Sequence, residues 1–270
     1  MTLLQAIILG VLQGATEFIP VSSSGHLVLV PWLLDWAEPG LAFDAILHWG
    51  TVLAVLAVFW RDLYRLVLAG LRSLRTRSLD DPEARVAWWI VIGTIPAAVV
   101  GFLFQDFFEA LFGTPVAAAA FLLVTGLILS VSERLSTRTR EAEEMSWLDA
   151  VLVGLAQAAA IAPGISRSGA TIAAGLLLGV KRAAAARFSF LLVVPAILGA
   201  AILSLLDLAS EGMLVGDWPL LVSGFLAAAL SGYLCIRFLL SYLRQGRLYL
   251  FAIYVWLFGA ASLVVALLRR

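Results

Sequence analysis

The sequence predicts an all-α, polytopic membrane protein with six transmembrane helices and two re-entrant helix pairs. Hydrophobic residues make up 62% of the chain and charged residues only 13%. The hydrophobic residues form apolar runs of about 20 residues, long enough to cross a hydrocarbon core of about 30 Å. The six predicted spans are residues 43–60, 86–104, 114–132, 188–206, 218–236 and 248–268. Two further apolar segments are broken by polar residues and are predicted to enter and leave the membrane on one side.

The loops between the spans alternate in charge. By the positive-inside rule, the arginine-rich loops lie in the cytoplasm. The loops predicted inside are residues 61–85, 134–140, 181–182 and 237–247, and the acidic loops predicted outside are 35–40, 106–109 and 207–217. Only Arg269 and Arg270, which this topology leaves outside, do not fit the rule.

The first broken segment is residues 13–26, QGATEFIPVSSSGH. Titratable side chains are costly at membrane depth, so Glu17 and His26 mark a candidate functional site. Plainer interpretations stay open for both residues: Glu17 caps the serine-rich turn or pairs with Arg167, and His26 binds backbone groups that Pro20 and Gly25 leave free. The arm after the turn, residues 26–34, would span about 14 Å as a helix, which is half a membrane.

The second broken segment is residues 162–169, APGISRSG, within an apolar stretch at 147–180. It repeats the first at a fixed offset, pairing Gln13 with Gln157, Ser22 with Ser166, Ser24 with Ser168 and Gly25 with Gly169. Three spans follow each segment, so the second copy is predicted to be inverted, an architecture that places a site between the repeats. The predicted division is a first repeat at 1–132, a cytoplasmic linker at 133–146 and a second repeat at 147–270.

The two copies differ in the residues that carry chemistry. The first has Glu17, Ser23 and His26 where the second has Ile161, Arg167 and Ala170. One copy therefore offers an acid, a hydroxyl and an imidazole, and the other offers a guanidinium. A guanidinium presents a planar fork of donors that suits phosphate oxygens, so we predict a phosphorylated substrate.

The small polar residues of both turns are predicted to bind anions. Gly25 and Gly169 allow tight turns whose backbone amides point inward, and the N-termini of half-helices strengthen such a site. We expect structural or phosphate-binding roles, not covalent ones, for Ser22, Ser24, Ser166 and Ser168.

Three other residues receive separate predictions. Gln13 and Glu17 are four positions apart and share a helix face, which can hold a metal ion or orient a water. His48 stands alone in an apolar span and is predicted to be a packing residue. A formal net charge of zero argues against a nucleic-acid partner. The single cysteine, Cys235, cannot form an intramolecular disulfide.

The motifs QGATEFIPVSSSGH and APGISRSGAT together resemble those of the undecaprenyl-diphosphate phosphatases, also called bacitracin-resistance proteins. The resemblance covers essentially the whole chain, with both motifs in the expected order. It implies a multi-pass protein of the bacterial cytoplasmic membrane, with its active site open to the outer face. It also implies hydrolysis of undecaprenyl diphosphate to the monophosphate, which recycles the lipid carrier for cell-wall synthesis and confers bacitracin resistance.

The resemblance also implies residue roles. The implied catalytic residues are Glu17, the proposed nucleophile Ser23, His26 and the phosphate-binding Arg167. The predicted substrate-binding residues are Gln13, Ser22, Ser24, Gly25, Gly164, Ser166, Ser168 and Gly169. A divalent cation, Mg²⁺ or Ca²⁺, is expected at Glu17. Many members have glutamate at the position of Gln13, so the glutamine here weakens any mechanism that needs two carboxylates for a metal.

Some alternatives stay open at this stage. A phosphoserine intermediate and direct attack by water are both compatible with the motifs, as are two divisions of labour between Glu17 and His26. The expected partners are a polyprenyl diphosphate lipid and the membrane, and a homodimer is left open. The alternative function is a lipid-phosphate flippase or anion transporter, because inverted repeats with broken helices are typical of transporters.

Overall fold

The structure, a computed structural model, describes residues 1–37, 39–211 and 218–269. Glu38, Asp217 and Arg270, and the side chains of Glu109, Asp207 and Glu211, lie outside this description, so their loop predictions are untested. The helices are α1 (Leu3–Phe18), α2 (Ser23–Leu33), α3 (Leu41–Thr76), α4 (Pro82–Leu103), α5 (Gln105–Phe112), α6 (Pro115–Leu135), a 3-10 turn (Ala142–Glu144), α7 (Trp147–Ala159), α8 (Arg167–Leu177), α9 (Arg182–Glu211), α10 (Trp218–Tyr242) and α11 (Tyr249–Leu268).

Six of these helices are long and apolar enough to cross a membrane, namely α3, α4, α6, α9, α10 and α11. The prediction of an all-α, multi-pass membrane protein is confirmed. Two loop predictions were wrong. The first basic loop is largely helical, because α3 continues to Thr76 and ends where Arg77 adopts a left-handed φ of 53°. The acidic turn after α4 is the short helix α5.

Five helices in the described part of the chain are too short to cross a bilayer. Helix α5 contains 8 residues, and α1, α2, α7 and α8 contain 16, 11, 13 and 11 residues. Arg140 links the N-terminus of α7 to the C-terminus of α8. Its Nη2 lies 2.8 Å from Asp149 Oδ2, and its Nη1 donates to the Leu178 carbonyl at 2.9 Å. The first turn of α7 and the last turn of α8 therefore lie at the same end of this helix pair. Insertion of the pair from one side of a membrane stays a prediction.

Arg269, one of the two residues that did not fit the charge rule, has partners at the end of α2. Its guanidinium donates to the carbonyls of Trp32 and Leu33, at 2.7 and 3.1 Å, and pairs with Asp35. It also lies over the Trp32 ring at 5.0 Å. Carbonyls at a helix C-terminus have no intrahelical partner, and a cation there is favourable. The C-terminus of α11 is thus joined to that of α2.

The two halves of the chain pack into each other. Helix α1 packs on α10, α7 packs on α4, and α6 packs on α11. Small residues allow these close approaches: a Cβ at Gly14 would lie 2.2 Å from the Ala228 carbonyl, and one at Gly154 would lie 2.4 Å from that of Gly93. Phe18 of α1 also meets Phe190 of α9 edge to face at 5.5 Å. An inverted relation between the halves, and the boundaries at 132 and 147, remain predictions.

Candidate active site

The first turn lies between α1 and α2. Ser22 caps α2, since its Oγ accepts a hydrogen bond from Gly25 N at 3.2 Å. The residue has a φ of 72°, which is unfavourable for any residue other than glycine. The Ser22 carbonyl accepts the first backbone hydrogen bond of α2, from His26 N at 3.2 Å, and Nδ1 of the His26 ring lies 2.7 Å from the same oxygen. The strained residue Ser22 therefore directly precedes Ser23, the first residue of α2.

The second turn lies between α7 and α8. Ser166 caps α8 with the same kind of bond, from Gly169 N to its Oγ at 3.0 Å. Here the left-handed residue is Gly164, with a φ of 97°. A Cβ at Gly164 would lie 2.2 Å from the Ala118 carbonyl, so the turn has no space for a side chain.

The two turns touch each other. A Cβ added to Gly25 would lie 3.0 Å from Gly164 Cα. Gly164 N donates to Ser24 Oγ at 3.4 Å, and Ser168 Oγ donates to the Ile19 carbonyl at 3.4 Å. The N-termini of α2 and α8 consequently meet between the halves of the chain. Two helix N-termini at one point favour an anion there.

The predicted binding serines form two matched pairs. Ser22 Oγ and Ser24 Oγ are 3.2 Å apart, and so are Ser166 Oγ and Ser168 Oγ. Both capping serines are almost completely buried. These hydroxyls therefore cap the helices and link the turns, and contact with a substrate stays a prediction for each of them.

Glu17 lies at the centre of the charged part of the site. Its Oε1 accepts from Arg167 Nη2 at 2.6 Å, and its Oε2 accepts from Ser23 Oγ at 2.5 Å. The carboxylate is only 6% exposed, so its pairing with a guanidinium offsets much of its cost of burial. The structure thus brings together three of the four predicted catalytic residues, from both broken segments.

Gln13 is the third group that donates to this carboxylate. Its Nε2 donates to Glu17 Oε2 at 3.1 Å, while its Oε1 is buried without a hydrogen-bond partner. Reversing the amide would place two oxygens against each other, so the observed orientation is the favourable one. A buried acceptor with no donor is a position where a ligand or water can bind.

His26 is not part of this cluster of contacts. Its Nδ1 lies against the Ser22 carbonyl, and its Nε2 lies 2.8 Å from Tyr254 Oη. The ring is 1% exposed and stacks on Phe258, with ring centroids 4.7 Å apart. Both imidazole nitrogens are therefore engaged away from the Ser23 hydroxyl.

Sequence reasoning missed two residues that support the site. Tyr254 of α11 binds His26, and only its polarity within an apolar span could have indicated it. Thr125 of α6 fixes the second turn, donating to the Gly164 carbonyl at 2.9 Å and accepting from Ser166 N at 3.0 Å. His48, which was predicted to be a packing residue, is half-buried, and its Nδ1 lies 2.8 Å from the Asp44 carbonyl of its own helix.

The geometry defines a class of site. A hydroxyl bound to a carboxylate is a pattern of nucleophilic or general-base chemistry, and the adjacent guanidinium and helix N-termini bind anions. The contacts join this chemistry to a multi-pass membrane fold, so the class is a membrane-embedded enzyme acting on an anionic substrate.

Comparisons with known proteins give the family. The bacitracin resistance protein BacA family matches residues 6–261, and the chain belongs to it. The chain is 45% identical, over the full length of both chains, to a protein of Moorella thermoacetica named undecaprenyl-diphosphatase. Proteins with that name from Rubrobacter xylanophilus and Thermomicrobium roseum are 48% and 44% identical, over 98% and 100% of both chains. The family resemblance of the two motifs is thereby confirmed.

Proposed function

We propose that this chain hydrolyses undecaprenyl diphosphate to undecaprenyl phosphate and inorganic phosphate. The observation that carries the proposal is the Ser23 hydroxyl bound to a buried carboxylate that also pairs with Arg167. The names of the relatives support the same reaction. Its role would be to recycle the lipid carrier for peptidoglycan synthesis in the bacterial inner membrane, and so to confer resistance to bacitracin.

The diphosphate would bind where the two broken segments meet. One Nη atom of Arg167 binds Glu17, and the remaining donors of the guanidinium can bind phosphate oxygens. The N-termini of α2 and α8 add favourable partial charges at the same point. The prenyl chain would lie along exposed apolar side chains such as Leu250, Ile253 and Leu257 of α11, with the headgroup entering from the outer face.

Ser23 and Glu17 would carry the first chemical step. Ser23 Oγ would bond to the terminal phosphorus while the bridging P–O bond breaks, and Glu17 Oε2 would take the hydroxyl proton. Undecaprenyl phosphate leaves with the bridging oxygen. Water would then attack the phosphorus of the phosphoserine while the Ser23 Oγ–P bond breaks. Glu17 would return its proton to Ser23 Oγ, and the released phosphate would keep both protons of the water. We assign the base to Glu17 rather than to His26 because both imidazole nitrogens have other partners.

A divalent cation fits one part of the site. The unpaired Oε1 of Gln13 and the carboxylate of Glu17 would hold it, and Mg²⁺ in phosphoryl-transfer sites is often bound by one or two protein oxygens plus substrate phosphates. Its contribution would be to neutralise phosphate charge. The described residues contain no cluster of three acidic, histidine or cysteine ligands, so the phosphates would have to complete the coordination.

The proposal is tested by phosphate release from undecaprenyl diphosphate in detergent, where no gradient can drive transport. Wild-type protein should release phosphate, and Ser23→Ala and Glu17→Gln should reduce the rate by about 10² to 10⁴-fold. Ser223→Ala is the matched control, because this α10 hydroxyl only binds its own helix at the Leu220 carbonyl. Absence of release by folded wild-type protein would contradict the proposal and favour the flippase alternative.

A further inference from the structure

Tyr254 is an unusual residue in α11. It is 44% exposed, and its helix presents mainly aliphatic side chains such as Leu257 to the surroundings. A tyrosine hydroxyl within an apolar span needs a hydrogen-bond partner, because the hydrocarbon offers none. The partner is His26 of α2, which lies 228 positions earlier in the chain.

The contacts of His26 determine its tautomer. The Ser22 carbonyl can only accept a hydrogen bond, so His26 Nδ1, at 2.7 Å, carries the proton. In a neutral ring Nε2 then has the lone pair and accepts from Tyr254 Oη at 2.8 Å. Stacking on Phe258, with rings inclined at 13°, fixes the plane of the imidazole. Tyr254 thus stabilises one tautomer and one orientation of His26.

This hydrogen-bond chain ends at the strained turn. His26 donates to the carbonyl of Ser22, whose φ of 72° is the unfavourable conformation that precedes Ser23. Strained conformations persist only where neighbouring contacts hold them. The bond from His26 is such a contact, and the hydroxyl of the next residue, Ser23, lies 2.5 Å from Glu17.

From this geometry we infer that Tyr254 is a positioning residue, which acts through His26 on the turn that carries Ser23. The inference rests on the proposed function only for its effect on rate. Its effect on the His26 tautomer is independent of any reaction, and the two can be measured separately.

The structural effect is measured by NMR of protein labelled with ¹⁵N-histidine, since the chain contains only two histidines. A His48→Asn variant assigns the signals. Wild-type His26 should show a protonated Nδ1 and a hydrogen-bonded, unprotonated Nε2. Tyr254→Phe, which keeps the ring, should shift the Nε2 signal to that of a free nitrogen or produce a mixture of tautomers. Tyr64→Phe, at an exposed tyrosine of α3, is the control and should leave both signals unchanged.

The effect on rate is measured by a double-mutant cycle. We expect Tyr254→Phe to lower kcat about tenfold with KM within twofold, and to have no further effect in a His26→Ala background. An equal loss of kcat in both backgrounds, or His26 signals identical in wild type and Tyr254→Phe, would overturn the inference. If wild-type protein releases no phosphate, the proposed function fails and the NMR result alone decides the role of Tyr254.

Discussion

The two broken segments have similar backbones and different chemistry. In each, a serine caps the second helix, and a pair of serine hydroxyls lies 3.2 Å apart. The first segment contributes Glu17 and Ser23, whereas the second contributes Arg167. Neither segment alone contains both the carboxylate and the guanidinium, so the proposed active site lies in the contact between the two segments.

The segments also differ in how they accommodate a left-handed residue. The second places it at Gly164, where a side chain would collide with the Ala118 carbonyl. The first places it at Ser22, which carries the strain of a side chain and gains a helix cap. Strain thus lies in the half that holds the proposed nucleophile, next to Ser23.

The largest expected effect comes from breaking the charged contact between the segments. Arg167→Ala should lower phosphate release by about 10² to 10³-fold, because it removes a cation that stabilises the transferred phosphoryl. Glu17→Gln should lower it by about 10² to 10⁴-fold, because it removes the proposed base. The double variant should cost no more than the worse single variant, since residues that act as a unit are not additive. It also removes both buried charges, so a folded but inactive double variant separates catalysis from stability.

The control for this pair is Arg65→Ala. Arg65 pairs with Asp62 at 2.6 Å on an exposed surface of α3, and exposed ion pairs contribute little. Phosphate release by Arg65→Ala should stay within about twofold of wild type. A loss in the double variant equal to the product of the two single losses would contradict the view that the two segments form one site.

The second effect concerns Gly164. Gly164→Ala should lower the free energy of unfolding by about 3 kcal/mol, from an unfavourable φ and a steric collision. Gly40 has a similar φ of 79° but open space around its Cβ position, so Gly40→Ala isolates the backbone term at about 1 kcal/mol. Thermal unfolding followed by tryptophan fluorescence measures both. Equal losses would mean that the close approach to Ala118 has no energetic consequence.

The smallest effect contrasts the capping serines. Ser22→Gly loses a cap but relieves the strain of a φ of 72°, so stability should change by less than about 0.5 kcal/mol. Ser166 has an ordinary φ of −71°, so Ser166→Gly should cost about 1 kcal/mol. Unfolding of the two variants side by side gives the difference. A greater loss at Ser22 than at Ser166 would show that the positive φ is not a source of strain.

Much of the fold follows from patterns that are local in sequence. Runs of apolar residues identify the six spans, because crossing a bilayer needs a minimum helix length. The pairing of Glu17 with Arg167 was also accessible, as one of the plainer interpretations of this carboxylate, because a carboxylate at membrane depth needs a partner. The extension of α3 to Thr76 could not be predicted, because arginines occur in both loops and helices and the charge rule does not distinguish a loop from a helix.

The supporting residues could not be predicted for a different reason. Tyr254 and Thr125 act across 228 and 39 positions of sequence, and each is an isolated polar residue in an apolar helix. Such residues have many plausible hydrogen-bond partners within a membrane protein. Which partner they meet depends on how α11 and α6 pack, and hydropathy contains no information on that.

The distance along the chain between the two segments has a consequence for biosynthesis. Glu17 has no guanidinium partner until Arg167, 150 positions later, has been made. Ribosomes add about 5 to 20 residues per second, so the carboxylate waits roughly 8 to 30 s for its cation. An unpaired carboxylate at the bilayer centre costs about 2.5 to 3.5 kcal/mol. We therefore expect α1 to stay near the membrane surface in the nascent chain and to take its final place only after α8 and α10 have emerged.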